Sequence, residues 1–538
     1  MTATATIPGL YYNFVRTPAQ SAALRSDIAG FIGRTTRGPV GVPMRVEGWR
    51  EYMSLFGGLS SDASTPYGVK SYFANLATTA YIVRLLGEGS VASTGSWKVS
   101  DIDPVTHKPG WNWPGESGLT ALSYSIVASS PGAWANRTSI GIRYWAKGSS
   151  GKPEMEFEIA PPNEEIELLS GISPASLVED VNARSQYLQI SADPLPAGVS
   201  STDLTPPAAN PGARYLEWTG ISLSGGATVP PSQDDYLNAV QSAGDQVDIA
   251  LTCCPDLYCE PNLNSDQMHE VIESLLVQAD ALHDREVILD VPPDQSDPIS
   301  AVAWASGLRK SIHDEKTLRG GAVYYPRVRV QDPLGGTSSP LRCIPCSGAV
   351  LGVISRLDVQ LGPYATPANA QIYEVFDLSK PLNAKEQTAI YQGGLNLLKC
   401  SPSNGLLVWG GRVLGVESEA TGMLGGFLAH RRLIQVLVRA IRRVAEPLVF
   451  ETNGPQLWLA LVRGITSVLL EAYRAGALKG ATPDEAFLVK CDQTNNPQEN
   501  IDNGLCFCDI QVAPAAPMEF ITLRVAVSNP GKLEVFES

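Results

Sequence analysis

The sequence predicts a mixed α/β protein (α/β, α+β mixed) whose core combines N-terminal and C-terminal parts of the chain, with an inserted β-rich middle region and extended terminal arms. Short apolar runs typical of buried strands alternate with helical patterns near 26–86 and 247–326. This alternation favours an open parallel or mixed sheet. Between about 90 and 230 it gives way to short strands, turns rich in Pro and Gly, and acidic runs.

The N-terminal part of the core contains two predicted strands around two predicted helices. The apolar runs 26–33 and 80–86 predict buried strands. Between them, 46–57 predicts a helix because its aromatic residues recur at helical spacing. A second helix is predicted over 66–77, with Pro66 in its first turn.

The same alternation returns in the second half of the chain. Strands are predicted at 247–253, 286–292, 322–326 and 405–412, and helices at 265–283, 297–312, 427–446 and 454–475. Further on, the apolar run 487–489 predicts a strand that leads into a polar turn, because the following loop is rich in Asn and Asp.

Both ends of the chain carry period-2 patterns that predict arm strands. In the last segment, 518–528, one face carries a row of apolar side chains: Ile521, Leu523, Val525 and Val527. The N-terminal arm has a similar row: Leu10, Tyr12 and Phe14. A terminal strand on a Pro-rich tether can pair within its own domain or with another chain.

Length and charge limit the classes of function. A chain of 538 residues is expected to form two to four domains. Its net charge of −15 argues against nucleic acid as a main partner, because phosphate binding favours a basic surface. The longest apolar runs, such as 347–354, are far shorter than the roughly 18 residues of a membrane span, so no membrane insertion is expected. The first residues lack a basic region followed by an apolar one, so no secretory signal is expected.

The cysteines leave an enzymatic alternative open. Nine cysteines spread over a long chain favour free thiols in a reducing compartment. Only Cys343 and Cys346 have the C-x-x-C spacing, and a structural zinc site usually needs two such pairs, so no metal is expected. A nucleophilic cysteine, either Cys491 or one of the pair Cys253 and Cys254, would make the chain a cytosolic α/β enzyme.

Common catalytic and ligand-binding motifs do not occur in the sequence. There is no phosphate-binding loop, no dinucleotide-binding glycine motif after a strand, no nucleophile elbow and no zinc protease motif. Counted from Asp492, positions 6 and 12 of a calcium loop would be Pro497 and Asn503, which do not fit. The expectation is therefore a chain with no catalytic residue, no metal and no cofactor.

A basic face is predicted on the helix near 428–446. On a helical wheel, five arginines cover about one third of the helix surface: Arg431, Arg432, Arg439, Arg442 and Arg443. The apolar residues of the helix, including Leu433 and Leu437, fall on the opposite side and are expected to face a core. The arginine face is interpreted as a solvated surface, as a contact surface for an acidic partner or as a membrane-surface helix.

Several segments together resemble the contractile tail sheath protein family, which includes sheaths of contractile phages and of phage-like contractile injection systems. The N-terminal segments are "IPGLYYNFVR", "IAGFIGRTTRGPVGVPMRVEGWREYMSLFGGL", "PYGVKSYFANLATTAYIVRL" and "PGAWANRTSIGI". The C-terminal segments are "LLVWGGRVL", "LVFETNGPQLWLALVRGITSVLLEAYRAGALKGATPDEAFLVKCDQTNNPQENIDNG" and "APMEFITLRV". The region from roughly 90 to 340 matches only in scattered places.

The resemblance implies a mechanical function without catalysis. Many copies would polymerise as helical rings around an inner tube protein, with baseplate and cap proteins at the ends, and contraction would drive the tube through a target envelope. The resemblance also implies assembly in a bacterial cytoplasm, arms exchanged between subunits, and a tube contact made by the five-arginine helix. It divides the chain as follows: an N-terminal arm (1–22), the N-terminal part of the core (23–90), an inserted β-rich domain (91–235), an α/β domain (236–345), the C-terminal core (346–517) and a C-terminal arm strand (518–538).

Overall fold

The computed structural model describes most of the chain. The described residues are 25–98, 123–145, 154–173, 176–192, 221–415, 426–448, 451–503, 505–515, 523–528 and 532–537. The predicted arm residues Leu10, Tyr12, Phe14 and Ile521 lie outside these ranges.

Strands and helices alternate along the described chain. Its strands are β1 (Ala29–Gly33), β2 (Met44–Val46), β3 (Ala80–Arg84), β4 (Thr94–Lys98), β5 (Ser123–Ala128), β6 (Ser139–Trp145), β7 (Glu154–Ala160), β8 (Glu167–Ile172), β9 (Leu188–Ala192), β10 (Ile221–Ser222), β11 (Leu251–Cys253), β12 (Glu286–Asp290), β13 (Gly321–Tyr325), β14 (Val328–Gln331), β15 (Leu341–Ile344), β16 (Ala370–Gln371), β17 (Asp377–Leu378), β18 (Asn396–Ser401), β19 (Gly405–Trp409), β20 (Phe487–Lys490), β21 (Asp509–Val512), β22 (Leu523–Ser528) and β23 (Lys532–Glu537). Its helices are α1 (Trp49–Phe56), α2 (Thr65–Ala74), α3 (Leu177–Arg184), α4 (Gln233–Gly244), α5 (Ser265–Leu282), α6 (Pro298–Ser311), α7 (Glu315–Leu318), α8 (Ser347–Leu361), α9 (Ala384–Gln392), α10 (Leu428–Ala445), α11 (Pro455–Arg474), α12 (Pro483–Ala486) and α13 (Gln498–Asp502).

One nine-stranded sheet forms the centre of the molecule, in the spatial order β16-β19-β18-β13-β12-β11-β1-β3-β2. The six strands from β18 to β3 run parallel, and β2, β16 and β19 are antiparallel to their neighbours. The five parallel strands from β13 to β3 are buried throughout, as their nearly unbroken apolar sequences predict. The predicted boundary between 236–345 and 346–517 crosses this sheet, because β13 pairs with β18.

Helices cover both faces of the central sheet. One face packs on α1, α2 and α8 through residues that include Tyr52, Tyr72 and Val353. The other face packs on α4, α5 and α6 through residues that include Tyr236 and Leu275. The apolar run 347–354, which is too short to cross a membrane, begins α8, a helix that is buried along most of its length.

The middle of the chain forms a separate β-rich unit. Strands β4, β5 and β9 form one small sheet, and β10, β6, β7 and β8 form another. They share a hydrophobic core of their own that includes Trp97, Phe157 and Ile190. Strand β7 alternates between buried and half-buried residues, which is the pattern expected when one face of a strand packs on a core.

The described residues from α10 to β21 form another unit. Helices α10 and α11 pack against each other and against the antiparallel ribbon of β20 and β21, around Leu433, Leu437, Ile465 and Leu469. The predicted helices 427–446 and 454–475 are confirmed within one residue at each end.

The C-terminal arm differs from its prediction. The sequence predicts a single strand over 518–528, whereas β22 pairs antiparallel with β23 in a hairpin, with Leu523 opposite Glu537 and Ser528 opposite Lys532. The sequence does carry a signal for this hairpin. The residues Asn529, Pro530 and Gly531 form a turn-favouring tripeptide, and a second alternating segment follows it.

Candidate functional site

In a protein of this architecture a ligand site is expected at the carboxyl edge of the parallel sheet. Strand order reverses at β1, since β3 lies on one side of it and β11 on the other. In open α/β sheets, ligands bind at such a reversal, outside the carboxyl ends of the strands. Helix α2 begins beside this point, where its backbone N–H groups could bind an anion.

In this protein the carboxylate of Asp256 fills that position. Asp256 is fully buried, and its Oδ2 accepts hydrogen bonds from the backbone N–H of Arg34 at 2.9 Å and from the hydroxyl of Thr65 at 2.6 Å. Its Oδ1 accepts from the backbone N–H of Ser64 at the start of α2. The chain therefore supplies the anion that a bound ligand would supply in an enzyme of this architecture.

A second buried carboxylate, that of Glu260, lies beside Asp256 at this edge of the sheet. The side chain of Glu260 is buried and pairs with Arg34, with an Nε–Oε1 distance of 3.0 Å, while the Tyr236 hydroxyl donates to Glu260 at 3.1 Å. Burial raises the pKa of Glu260 to about 7, although the Arg34 charge acts in the opposite direction. These contacts lie within the chain and leave the crevice occupied.

The candidate nucleophilic thiols are not activated. Cys253 is buried, and burial raises its pKa well above the ordinary thiol value. Burial likewise raises the pKa of Cys254, and that of Cys491 to about 12. A nucleophilic cysteine requires the opposite shift, toward thiolate at neutral pH. The enzymatic alternative therefore gains no support from these residues.

Metal-binding groups and membrane-spanning helices are absent from the described part of the chain. No group of three or more His, Cys, Asp or Glu side chains there is placed to hold a metal ion. Of the C-x-x-C pair, Cys343 is exposed and Cys346 is buried. Among the described helices, none combines the length and the apolar character needed to cross a membrane.

The five-arginine face of α10 does not form one exposed surface. Arg432 is buried and forms an ion pair with both carboxylate oxygens of Asp358 on α8. It also donates to the backbone carbonyl of Ser26 at 2.9 Å, and the hydroxyl of Ser26 donates to Asp358 at 2.7 Å. Burial raises the pKa of Asp358, opposed by the Arg432 charge. Losing one partner of such a buried pair typically costs about 3–5 kcal/mol, because the other charge is left uncompensated.

Arg439 is the second arginine of this face that lies inside the molecule. It donates to the backbone carbonyl of Val247 at 2.7 Å and to that of Asp248 at 3.2 Å, just before β11 begins. Between the two buried arginines, the side-chain amide of Gln435 donates to the carboxylate of Glu286 at 2.6 Å. The polar stripe of α10 thus covers the amino-terminal edge of the central sheet.

The prediction of a tube-facing surface is therefore wrong for Arg432 and Arg439. Their guanidinium groups satisfy carbonyl and carboxylate groups at the amino ends of the strands, and this is why a charged face can be buried here. Arg442 is different: its side chain is about half exposed, while it donates to the Leu282 carbonyl at 2.6 Å. For Arg431, Arg442 and Arg443, which are exposed or half-buried, the tube contact stays a prediction.

The ribbon of β20 and β21 offers a sheet edge beside this unit. Phe487, Val489, Ile510 and Val512 face inward and pack on the α10–α11 core. Leu488, on the opposite face, is 54% exposed. Among the described residues the ribbon has no third strand. A two-stranded sheet is marginally stable alone, and a free edge can accept an added strand.

These features belong to a known class, because the chain has the fold of contractile tail sheath proteins. Residues 426–528 match a family model described as the phage tail sheath C-terminal domain. The tail sheath protein of Vibrio phage KVP40 is 27% identical over 191 residues, which are 35% of this chain and 27% of that protein. This chain thus spans about a quarter of the length of that relative.

Solved structures resemble nearly the whole chain. The helical sheath of the anti-feeding prophage in its contracted state covers 98% of this chain and 100% of its own, with a TM-score of 0.55 and 17% identity. The sheath tail protein from Desulfitobacterium hafniense covers 90% of this chain and 93% of its own, with a TM-score of 0.57 and 14% identity. The predicted resemblance to contractile tail sheath proteins and the mixed α/β fold class are both confirmed.

Proposed function

We propose that this chain is the structural subunit of a contractile sheath. Copies polymerise as helical rings around an inner tube, and their shortening drives the tube through a target envelope. The observation that carries the proposal is the fold, which resembles a contracted helical sheath over 98% of this chain. The filled crevice at Asp256 supports a mechanical role without catalysis.

The partners of the subunit follow from its position in a contractile particle. The main partner is another copy of the same chain, and the others are the inner tube along the length and baseplate and cap proteins at the ends. Neither nucleic acid nor membrane insertion has a part, and assembly takes place in the bacterial cytoplasm. The net charge of −15 is consistent with the absence of a nucleic-acid partner.

Strand exchange between subunits is the proposed link within the polymer. The ribbon of β20 and β21 presents backbone hydrogen-bonding groups at its edges, and the arms of neighbouring copies add strands to them. Main-chain hydrogen bonds of the added strands resist separation of the subunits. Subunits can then change their orientation without losing contact with one another.

Removal of the C-terminal arm tests this function. A chain that lacks 518–538 should keep the thermal unfolding midpoint of the full chain, and it should form no tubes in sedimentation or electron microscopy. Val525→Pro should behave like the deletion because proline removes a ladder N–H, whereas Val525→Thr should assemble. Unfolding of the shortened subunit would place the arm within its own core, and normal tubes would refute strand exchange.

A further inference from the structure

Three cysteines lie together at the end of the β20–β21 ribbon: Cys491, Cys506 and Cys508. Continuing the ladder beyond Lys490 and Asp509 places Cys491 directly opposite Cys508. The Sγ of Cys491 lies 4.0 Å from the Sγ of Cys506. Cys491 is buried, Cys508 is half-buried and Cys506 is exposed. The cluster therefore has one thiol that solvent can reach and two that are sheltered behind it.

A buried asparagine fixes the arrangement. The side-chain amide of Asn496, which is fully buried, donates to the Phe507 carbonyl at 2.8 Å. Its side-chain oxygen accepts from the Phe507 backbone N–H at 2.6 Å. The Cys491 thiol also donates to the Phe507 carbonyl, at 3.5 Å. This two-point attachment holds the segment that carries Cys506 against the end of β20.

We propose that Cys491 and Cys506 are a thiol–disulfide exchange site, which a small-molecule disulfide converts to an intrachain disulfide. The exposed Cys506 thiolate attacks the small disulfide, forms a mixed disulfide and releases one small thiol. The Cys491 thiolate then attacks the Cys506 sulfur and releases the second small thiol. Two protein thiols are oxidised and one disulfide is reduced to two thiols, which take up the two protons.

The bond closes the loop between the end of β20 and the segment before β21. Only a short movement is required, since the two sulfur atoms are already in contact. Burial and the neighbouring thiols raise the pKa of Cys491 to about 12, so ring closure depends on a scarce thiolate. The rate of ring closure should therefore rise roughly tenfold per pH unit between pH 7 and 9.

The test is oxidation of the full chain with glutathione disulfide, followed by alkylation and peptide mapping. The expected product contains a peptide linked through Cys491 and Cys506 and retains no glutathione on either of these two residues. Cys491→Ser should retain glutathione on Cys506, and Cys506→Ser should lose the linked peptide. Asn496→Ala should slow ring closure and leave the initial attack by Cys506 unchanged.

Controls separate this site from general thiol oxidation. Cys259→Ser removes an exposed thiol that lies elsewhere in the chain and should form the linked peptide at the full-chain rate. Cys508→Ser should also form it. A bond that joins Cys508 to either neighbour in the full chain would overturn the assignment. Glutathione that stays on Cys506 without ring closure would overturn it as well.

Discussion

At the scale of single residues, the buried seam between α10 and the central sheet contains a carboxylate that resists ionisation. Glu286 is fully buried, and burial raises its pKa to about 7, although the Arg431 charge and the Gln435 hydrogen bond act in the opposite direction. Among the described residues, its Oε1 has no hydrogen-bond partner. An ionised Glu286 is therefore unfavourable in the folded protein.

The raised pKa of Glu286 gives a pH dependence of stability with a definite sign. Between pH 4.5 and about 7 the folded chain binds this proton and the unfolded chain releases it, so the free energy of unfolding falls as pH rises. The full loss is on the order of 3 kcal/mol above pH 7. Glu286→Gln should remove this dependence and stabilise the protein at pH 8 more than at pH 5, as measured by urea unfolding.

Two comparisons decide whether Glu286 causes the pH dependence of stability. Glu260 also has a raised pKa and contributes in the same direction, so the informative quantity is the difference between the variant and the parent chain at each pH. Glu471→Gln on α11 changes an exposed carboxylate and should leave the pH profile as it is. Parallel profiles for Glu286→Gln and the parent chain would mean that the buried carboxylate is not the source.

At the scale of elements, the contact between α2 and α8 depends on glycine. A Cβ added at Gly348 would lie 2.5 Å from the Cα of Gly68 on the facing helix, which is far inside van der Waals contact. The absence of a side chain thus allows the two helices to approach closely. This contact lies within the larger apolar core that packs on one face of the central sheet.

Two alanine substitutions measure how much the close contact between α2 and α8 contributes to stability. Gly348→Ala should force the helices apart and lower the free energy of unfolding by about 1–3 kcal/mol. Gly307→Ala on α6 is the matched control, because no atom of the described part of the chain lies within 4 Å of its added Cβ. That control should be neutral or stabilising by about 0.5–1 kcal/mol, as expected for glycine replaced in a helix. Equal effects at both sites would contradict the close-contact explanation.

The exposed end of α10 is the part of the basic helix that is available to a partner. Arg442→Glu should leave the subunit folded and weaken its association with the inner tube, with a larger effect at low salt because a surface charge is screened less there. Arg474→Glu reverses an exposed charge near the end of α11 and should have little effect. Cosedimentation with tubes measures both variants. Unchanged binding of Arg442→Glu would show that the inner tube does not contact this end of the helix.

At the scale of the whole molecule, the length of the tether before the C-terminal hairpin should couple neighbouring subunits. Six Gly and Ser residues inserted at 513–517 should permit tubes to form, because strand addition needs only the arm itself. Contraction should fail, because the longer tether lets one subunit move without pulling its neighbour. Electron microscopy of tube length before and after a contraction stimulus measures this.

The control for the tether places the same insertion elsewhere on the surface. The exposed loop after Gly336, between β14 and β15, should accept the six residues and leave contraction intact. Normal contraction of the tether variant would show that the arms do not transmit the movement. Loss of contraction in both variants would show that insertion itself, rather than slack between subunits, disturbs the sheath.

The local elements and the resemblance to a class of protein follow from the amino-acid sequence alone. The sequence predicts the ends of helices α10 and α11 within one residue, because the periodicity of a helix depends on neighbouring residues. Strands such as β12 and β13 were found from short apolar runs for the same reason. The resemblance to sheath proteins depends on contiguous segments of sequence, so it can be recognised without knowledge of the fold.

The partners of each polar helix face, in contrast, depend on the tertiary structure. A helical wheel separates the arginines of α10 from its leucines, but it cannot distinguish water from the carbonyls at the ends of strands. Arg432 and Arg439 are buried because residues far away in sequence, around Asp358 and Val247, provide their partners. The same holds for Asp256, whose carboxylate fills the crevice at β1 only after the fold brings α2 beside it. Whether a buried polar side chain finds a hydrogen-bond partner depends on residues far away in sequence, whereas the periodicity of a helix depends on neighbouring residues.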